Sequence, residues 1–313
     1  MITHVEIQNY RSIWQASVPL SPFTLLIGAN GTGKSNLLRL LRAVSLLYNH
    51  TPGDFGHPYS SKHVNHIPAP QNITLTNDRN EISGIRSGGL QGKIPELASV
   101  RVFSINPAHA GQAEKIVANP TVNEDGSGVV QVLDALKTGD REDLFNTIEA
   151  ALKAYIPEIE KLSFVPGIET KKLQVREKDL GRPIPVSELS EGTRLVLTIL
   201  TIIYQENPPS VICLEEIDRG MHPRLFEQVV QLCFDMTHRE NGPQIIATTH
   251  NPYLVDQFKD HESAVIIVEK ENGETKFTTL AERLQHLEPG EEPLGSLWYS
   301  GFVGGAPMTS VHG

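Results

Sequence analysis

Apolar positions recur along the chain in two periods, which predict strands that alternate with helices. Short apolar runs typical of buried strands occupy Phe23–Ile27, Val211–Leu214 and residues 245–249. Helical spacing follows the first run over about residues 34–48, and it fills the interval between the other two over about residues 223–237. Alternation of this kind predicts a mainly parallel sheet that is covered by helices on both faces.

The segment between about residues 50 and 187 interrupts this alternation. Residues 50–97 are rich in Gly, Pro, Asn, Ser and His and show little periodicity, which predicts an irregular lobe. Residues 129–154 then show helical spacing, and the sequences LSFV and KLQVRE predict strands. We therefore expect one domain over residues 1–313 with a lobe inserted at about residues 50–187. Near the end, Asn272-Gly273 between two apolar runs predicts an antiparallel hairpin.

Composition narrows the class of protein. A formal net charge of −10 over 313 residues disfavours broad, non-specific wrapping of nucleic acid, although it leaves a local basic patch open. Basic residues around Lys171 are interleaved with acids, as on a solvated hairpin. The longest apolar run is too short to span a bilayer, and the first residues lack the basic region of a signal peptide. Cys213 and Cys233 are spaced like buried apolar residues rather than like a disulfide framework, which fits a reducing compartment. We therefore expect a cytoplasmic protein.

The segment GANGTGKS, residues 28–35, lies between the first apolar strand and its helix. In that context its glycines let backbone amides surround phosphate oxygens, and the helix N-terminus adds partial positive charge. Lys34 is expected to reach the terminal phosphates, and the hydroxyl of Ser35 to bind Mg²⁺. A glycine-rich turn without a ligand is the alternative. The residues expected to bind nucleotide here are Asn30, Gly31, Thr32, Gly33, Lys34, Ser35 and Asn36.

The strand of sequence SVICLEE ends in two carboxylates, Glu215 and Glu216. A strand of this kind beside a phosphate loop places its last side chains near the metal ion of the nucleotide. We expect Glu215 to hold the metal, directly or through water, and Glu216 to polarise the attacking water. A strand that ends in two surface acids is the alternative.

Two further segments offer groups to an anion. The apolar strand in QIIATTHNP ends at His250, because Asn251-Pro252 stops the strand and starts a helix. A histidine at such a strand tip lies over the ligand crevice, so we expect His250 to contact the γ-phosphate and the attacking water; a structural histidine is the alternative. LSEGTR, residues 189–194, precedes an apolar helix and supplies a hydroxyl, a glycine amide and a helix N-terminus. An ordinary helix cap has the same pattern.

Together these segments resemble the ABC-type ATPase heads of the RecF, SMC and OLD group, most closely the small stand-alone ATPases of the AAA_21 class. GANGTGKS resembles Walker A, LSEGTR the ABC signature, VICLEE with IDRGMHP the Walker B and D-loop region, and TTHNP the switch histidine. The opening IQNYRSI and the closing GSLWYSGFVGG are also similar to segments of that group. The resemblance covers most of the chain. It implies an α/β P-loop NTPase of ABC-ATPase-head type, with a mainly parallel sheet flanked by helices, an antiparallel β lobe and an inserted helical lobe.

The resemblance also implies an activity. An ATPase of this group uses ATP and Mg²⁺, and the matching catalytic residues here are Lys34, Glu216 and His250. It forms a head-to-head homodimer on ATP, in which Ser190 and Gly192 of one subunit cap the γ-phosphate bound by Lys34 of the other. The implied output is control of a protein effector such as a nuclease or toxin, in anti-phage defence or DNA repair, with nucleic acid left open and no membrane partner.

Some positions depart from the group's pattern. Glu215 stands where Asp is usual, which predicts slow hydrolysis, and Gln112 is a weak candidate for the Q-loop residue. The resemblance implies that Arg11 contacts phosphate, whereas Tyr10 is better explained as a packed aromatic residue.

Rival functions follow from the same motifs. A nucleotide-gated scaffold with negligible turnover, which holds a nuclease or toxin, is the main alternative. A small-molecule kinase would leave LSEGTR and His250 without a task, and a transporter's ATPase subunit fits the opening and closing segments less well.

Two further candidate sites are weaker. His50, His57, His63 and His66 lack neighbouring Cys or acids at ligand spacing, so no metal is assigned to them. Glu269, in AVIIVEKENG, lacks a following Asp-x-Asp strand end of a TOPRIM nuclease, and we expect it to be the exposed end of a hairpin strand.

Overall fold

A computed structural model of the chain describes residues 1–49, 71–86, 89–92, 94–115, 117–166, 170–285 and 292–305. The chain forms two compact units. Unit 1 contains Met1–Val102, Ser210–Glu216 and Gln244–Gly313, and unit 2 contains Phe103–Pro209 and Ile217–Pro243. The single domain expected over residues 1–313, with its insertion at about 50–187, stays a prediction.

The strands of the described residues are β1 (Ile2–Tyr10), β2 (Ile13–Pro19), β3 (Phe23–Ile27), β4 (Gln71–Asn77), β5 (Ile82–Arg86), β6 (Gly89–Gln91), β7 (Val100–Phe103), β8 (Glu114–Lys115), β9 (Ile159–Pro166), β10 (Thr170–Glu177), β11 (Ile184–Pro185), β12 (Val211–Leu214), β13 (Gln244–Thr248), β14 (Val265–Glu271) and β15 (Glu274–Thr279). The α-helices are α1 (Lys34–Asn49), α2 (Val129–Thr138), α3 (Glu142–Tyr155), α4 (Glu191–Tyr204), α5 (Phe226–Thr237), α6 (Pro252–Val255), α7 (Leu280–Leu284) and α8 (Leu294–Tyr299).

The central sheet of unit 1 has the strand order β15-β14-β3-β13-β12-β7. β14, β3, β13 and β12 are parallel neighbours, and β15 is antiparallel to β14. All residues of β3, β12 and β13 are buried, as expected for parallel strands covered on both faces. The mainly parallel sheet predicted from the sequence is therefore confirmed. The predicted hairpin between β14 and β15 is also present, and Asn272 and Gly273 both have positive φ, as a tight two-residue turn requires.

An antiparallel sheet with the order β2-β1-β4-β5-β6 completes unit 1. Its apolar residues join one buried cluster with α1 and the central sheet, represented by Ile7 of β1, Ile73 of β4 and Leu41 of α1. The irregular lobe predicted over residues 50–97 is wrong for residues 71–77, 82–86 and 89–91, which form β4, β5 and β6. The alternating Ile73 and Leu75 are buried apolar residues of β4, and this period of two was the overlooked signal.

Unit 2 combines helices with a small sheet of order β11-β10-β8, with β9 also paired to β10. The helical pattern predicted over residues 129–154 forms two helices, because Gly139 ends α2 and donates its N–H to the carbonyl of Ala135. α4 is apolar around most of its circumference and is buried from Leu195 to Ile203. Cys213 in unit 1 and Cys233 in unit 2 are buried free thiols, as predicted, and burial raises the pKa of each. Within the described part of the chain, no helix has the length and apolarity needed to cross a membrane.

Candidate nucleotide site

The candidate site lies at one edge of the central sheet, where three parallel neighbours end together. β3 pairs with β13, which pairs with β12, and in this register Leu26 lies beside Thr248 and Leu214 beside Ala247. The carboxyl ends of adjacent parallel strands meet at one edge, which is where open α/β sheets bind ligands. GANGTGKS, the pair Glu215 and Glu216, and His250 follow these three strand ends directly. The structure thus brings together three of the four predicted segments.

The phosphate loop, residues 28–33, is a turn with left-handed backbone at each of its glycines. Gly28, Gly31 and Gly33 have φ of 149°, 77° and 119°. Gly33 also has no room for a side chain, because an added Cβ would lie 2.5 Å from Thr275 Oγ1. Among the predicted ligands, Asn30 and Gly31 are exposed and Thr32 is buried. Gly33, Ser35 and Asn36 are half-buried, the last two in the first turn of α1.

Lys34 is the buried cation of this site. Its Nζ donates hydrogen bonds to the carbonyl oxygens of Gly28, at 2.7 Å, and Ala29, at 2.9 Å. Burial lowers the pKa of Lys34 to about 8, against the opposing attraction of the Glu216 carboxylate. Lys34 is thus close enough to Glu216 for their charges to interact, and an added anion at the loop would favour its protonated form.

Glu215 and Glu216 leave β12 in different environments. Glu215 is half-buried, whereas Glu216 is exposed and has φ of 51°, in the left-handed region that non-glycine residues rarely adopt. The backbone N–H of Glu216 donates a hydrogen bond of 2.9 Å to Thr248 Oγ1, at the end of β13. The sequence did not single out Thr248 for this role, although it is part of the strand that ends in TTHNP.

His250 is exposed at the end of its strand, and the turn that presents it is fixed by hydrogen bonds. Asn251 donates its N–H to Thr249 Oγ1, and its side chain caps α6 by accepting from the N–H of Tyr253. The expected stop of the strand and start of a helix at Asn251-Pro252 are both observed.

Polar residues from β15 and the β1–β2 turn contact the phosphate loop. Thr275 Oγ1 donates to the carbonyl oxygen of Thr32 at 2.7 Å and lies 2.7 Å from Ser12 Oγ. Asn36 donates to Ser12 Oγ at 3.0 Å and accepts from the Arg11 guanidinium at 3.2 Å. Thr275 and Ser12 were missed from the sequence, because neither belongs to a phosphate-binding pattern.

The LSEGTR segment lies in unit 2, at the start of α4. Ser190 is exposed and caps the helix, accepting from the N–H of Thr193 at 3.1 Å. Gly192 is buried, and an added Cβ would lie 2.0 Å from Leu225 Cδ1. Gly192 therefore allows close packing within unit 2, a role that the sequence did not indicate.

The remaining candidate residues differ in their burial and in their hydrogen-bond partners, and four of them lie outside the described part of the chain. Tyr10 is 1% exposed, which confirms the packed aromatic residue. Gln112 is exposed, and its side chain donates to the carbonyl of Ala108. The expectation for Glu269 is wrong: it is half-buried, because it accepts from the N–H of Gly305 at 2.8 Å and from the Arg283 guanidinium. Lys171 pairs with Asp134. His50, His57, His63 and His66 lie outside the described residues.

Metal binding by side chains alone is not supported in the described ranges, where no group of three or more His, Cys, Asp or Glu residues is arranged around a common point. Ser35 lies in the first turn of α1 and supplies a hydroxyl, and Glu215 directly follows β12 and supplies a carboxylate. These are the hard donors that Mg²⁺ takes, and Mg²⁺ completes its octahedron with water and substrate phosphates. The donor set fits a Mg²⁺ ion that arrives with a nucleotide.

Two family models match the chain. The model described as "AAA domain, putative AbiEii toxin, Type IV TA system" matches residues 121–256, and the model described as "AAA ATPase domain" matches residues 1–84. Between them they cover the phosphate loop, LSEGTR, the two strand-end acids and His250.

Two curated relatives align with most of the chain at low identity. Old nuclease of Escherichia phage P2 is 21% identical over 379 residues, which cover 93% of this chain and 63% of that protein. Septu protein PtuA of Bacillus mycoides strain KBAB4 is 21% identical over 311 residues, which cover 86% of this chain and 41% of that protein. The chain spans less than two thirds of the length of either relative.

SMC head domains share the fold. An SMC head bound to the C-terminal winged helix domain of ScpA has a TM-score of 0.56 at 13% identity, covering 91% of this chain and 99% of that one. The SMC head domain of Thermotoga maritima has a TM-score of 0.52 at 15% identity, covering 89% and 98%. The motifs, the family models, the two relatives and this α/β fold together support an ABC-type ATPase of the RecF, SMC and OLD group.

Proposed function

We propose that the chain is an ATP-dependent switch of the cytoplasm, which binds and hydrolyses ATP, dimerises head to head on ATP and controls a protein partner. The observation that supports this most strongly is the common edge of β3, β13 and β12, from which the phosphate loop, His250 and Glu216 follow. Lys34 and Glu216 interact electrostatically at that edge, as groups on either side of a terminal phosphate should.

In this proposal the phosphate loop binds the nucleotide. Its backbone amides and the N-terminus of α1 surround the phosphates, and Lys34 leaves the carbonyls of Gly28 and Ala29 to bind the terminal phosphate oxygens. Arg11, which already contacts Asn36 beside the loop, adds a second cation near the phosphates. Phosphate binding raises the pKa of Lys34 again and favours its ammonium form, because the attraction of the phosphate opposes the effect of burial.

Hydrolysis needs a positioned water and stabilisation of charge on the γ-phosphate. Glu216 is exposed and its charge interacts with that of Lys34, and in this proposal its carboxylate accepts a hydrogen bond from the attacking water. His250 orients the γ-phosphate and that water from the next strand end. Ser35 and Glu215 would hold Mg²⁺, which neutralises phosphate charge when it is bound.

We propose further that each site is completed by a second copy of the chain. Ser190 is exposed at the N-terminus of α4, where its hydroxyl and the free backbone amides of the first turn suit an anion. In the dimer, Ser190 and Gly192 of one subunit cap the γ-phosphate that Lys34 of the other subunit binds. The arrangement makes ATP the bridge between subunits, so hydrolysis would release them.

The names of the relatives suggest the kind of partner. One is a nuclease, and one matching family model is described by a toxin of a toxin–antitoxin system. We propose that the chain controls a nuclease or toxin effector, with defence against phage as the favoured setting. Nucleic acid is a further candidate partner, through a local basic surface rather than the whole chain.

A nucleotide-gated scaffold with negligible turnover is a second candidate, which Glu215 favours. The longer side chain of Glu215 stands where Asp is usual, and it changes the distance available to a metal. Such a scaffold would bind ATP and dimerise without repeated phosphate release. Multiple-turnover phosphate release by the purified chain separates the two candidates.

The function is tested by the variant Glu216→Gln. Glu206→Gln is the matched control, because Glu206 is an exposed glutamate that precedes β12. Removing the base should lower phosphate release by at least about 100-fold, while ATP binding persists. The variant should accumulate as an ATP-bound dimer in size-exclusion chromatography with light scattering. Glu206→Gln should match the wild type in both assays. A Glu216→Gln protein that stays monomeric with ATP and turns over normally would reject the role of Glu216.

A further inference from the structure

A continuous line of hydrogen bonds connects the phosphate loop with two elements that are distant in sequence. It runs from the Arg11 guanidinium to Asn36, then to Ser12 Oγ, to Thr275 Oγ1 and finally to the carbonyl oxygen of Thr32. Its links measure 3.2, 3.0, 2.7 and 2.7 Å in that order. We call these five residues the loop relay.

The donors of the loop relay point one way. A carbonyl oxygen only accepts, so the single hydroxyl proton of Thr275 is committed to Thr32. Ser12 must then donate its own proton to Thr275, and it accepts from the side-chain amide of Asn36. Every hydroxyl proton in the relay is therefore assigned, and loss of one hydroxyl leaves a neighbour unsatisfied.

Thr275 is held firmly at the centre of the loop relay. It is completely buried in β15, and its backbone N–H donates to the carbonyl oxygen of Ser12 at 2.7 Å. Its side chain also fills the space beside Gly33, with Oγ1 2.5 Å from where a Cβ would stand. Thr275 thus contacts both residues of the peptide bond between Thr32 and Gly33.

The orientation of that peptide bond decides what the loop presents to a phosphate. The carbonyl of Thr32 and the N–H of Gly33 belong to one planar trans unit, so they point in opposite directions. Glycine allows this unit to rotate at little cost, and a rotated unit would turn a carbonyl oxygen toward the anion. The hydrogen bond from Thr275 fixes the carbonyl and, with it, the direction of the Gly33 amide.

We propose that Thr275 is a positioning residue of the nucleotide site, which locks the Thr32–Gly33 peptide so that its amide is available to phosphate, and that Ser12 supports it. This inference rests on the proposed ATP binding. It assigns to β15 and to the β1–β2 turn a part in phosphate recognition, through the loop rather than by contact with the ligand.

The test compares Thr275→Val, which keeps the shape and removes the hydroxyl, with Thr275→Ser, which keeps the hydroxyl. Thr275→Val should weaken ATP and ADP binding by a similar factor of about ten, the effect of one lost hydrogen bond to a buried group. Its KM for ATP should rise while kcat falls less, whereas partial unfolding would lower the apparent kcat at unchanged KM. Thr275→Ser should restore binding.

Thr24→Val is the matched control. Thr24 is also a buried threonine whose hydroxyl donates to a backbone carbonyl, that of Ser21, at the other end of β3 from the phosphate loop. It should alter thermal stability without changing nucleotide affinity. Ser12→Ala interrupts the loop relay one residue earlier and should also weaken nucleotide binding. It therefore provides a second test of the proposal if Thr275→Val folds poorly.

The possible outcomes distinguish the positioning role of Thr275 from the proposed binding of ATP. Wild-type protein that binds ATP, with Thr275→Val and Ser12→Ala binding equally well, would overturn the role of Thr275 and leave the proposed function standing. Wild-type protein that binds no nucleotide would overturn both. Weaker binding by Thr275→Val that Thr275→Ser does not restore would show that a hydroxyl at this position is not sufficient to hold the Thr32–Gly33 peptide, and it would also reject the inference.

Discussion

The backbone N–H of Glu216 donates to Thr248 Oγ1 at 2.9 Å, which ties the end of β12 to the end of β13. Glu216 has φ of 51°, a conformation that costs a non-glycine residue about 1 kcal/mol or more. The hydrogen bond satisfies its amide and stabilises this backbone. Because Thr248 is two residues before His250, one hydroxyl helps to place both proposed catalytic side chains.

Removing that hydroxyl should slow catalysis without preventing ATP binding. Thr248→Val leaves the Glu216 amide without its acceptor, so we expect kcat to fall about tenfold while the Kd for ATP stays near the wild-type value. Thr248→Ser should restore most of the rate. Single-turnover phosphate release and fluorescent nucleotide titration measure the two quantities.

Thr201→Val serves as the control for this variant. Thr201 is completely buried in α4, where its hydroxyl donates to the carbonyl of Leu197 at 2.7 Å. It should lose some stability and keep its specific rate per folded molecule. Equal losses of rate in both variants would mean that general destabilisation, rather than the position of Glu216, explains the result.

ATP binding should depend on pH through Lys34. Burial lowers the pKa of Lys34 to about 8 in the free protein, and the ammonium form is the one that binds phosphate. Binding above that pH therefore takes up one proton, so the Kd for ATP should rise about tenfold per pH unit above 8. Isothermal titration calorimetry in buffers of different ionisation enthalpy measures the proton uptake. Lys34→Met should bind weakly, with no such uptake.

The same pKa has a consequence for folding. The pKa of Lys34 is lower in the folded chain than its ordinary value of 10.5, so the buried charge destabilises the free protein below about pH 8. This penalty disappears as pH rises from about 8 toward 10.5. Nucleotide-free Lys34→Met should therefore unfold at a higher temperature than the wild type at pH 7, by a margin that shrinks above pH 8. A margin that grows with pH would contradict a buried, charged Lys34.

Gly33 and Gly31 should differ in their tolerance of a side chain. Both have positive φ, but a Cβ at Gly33 would meet Thr275 at 2.5 Å, whereas nothing lies within 4 Å of a Cβ at Gly31. Gly31→Ala should cost about 1 kcal/mol of unfolding free energy through backbone strain alone. Gly33→Ala should cost about 3 kcal/mol or more, because overpacking adds to strain. Urea unfolding without nucleotide measures both; equal costs would reject the close approach of Thr275.

Gly192, the glycine of the LSEGTR segment, should show energetic coupling to Leu225. Gly192→Ala places a Cβ 2.0 Å from Leu225 Cδ1, so we expect a loss of about 2 kcal/mol by overpacking. In a Leu225→Ala background the same change should cost much less, since the obstructing side chain is gone. A double-mutant cycle on unfolding free energy measures this coupling. Strictly additive costs would mean that Leu225 moves aside freely.

The sequence was most informative where burial or chemistry was concentrated in a few neighbouring residues. β3 and β12 were predicted with their observed bounds, because every residue in them is buried and, apart from Thr24, both runs are apolar. Lys34, Glu216 and His250 were found because each directly follows a strand or loop of recognisable pattern. Their placement on one edge follows from the parallel pairing of β3, β13 and β12.

Contacts between segments that are distant in sequence could not be predicted from local residue patterns. β4 was missed, because it pairs with β1, some seventy residues away, and Ile73 and Leu75 are its only apolar residues. Thr275 was missed for the same reason, since its partners Ser12 and Thr32 are set by the tertiary fold. The interpretation of Glu269 as exposed failed because its partners Arg283 and Gly305 come from later segments.

The central claim, that two copies share each ATP site, is tested most directly by mixing two inactive variants. Lys34→Ala removes phosphate binding from the loop of the chain that carries it, and Ser190→Arg prevents that chain from capping the phosphate bound by its partner. Ser187→Arg, at an exposed serine nearby, controls for the effect of introducing an arginine. A mixed dimer would contain one intact site, with Lys34 from one chain and Ser190 from the other.

The measurement is phosphate release by equal amounts of the two variants, alone and together. If the sites are shared, each variant alone should be inactive, and the mixture should recover up to about a quarter of the wild-type rate, as random assortment into two-fold dimers predicts. Ser187→Arg should remain active on its own. A mixture no faster than the sum of its separate components, or a Ser190→Arg protein with the wild-type rate, would contradict the shared site.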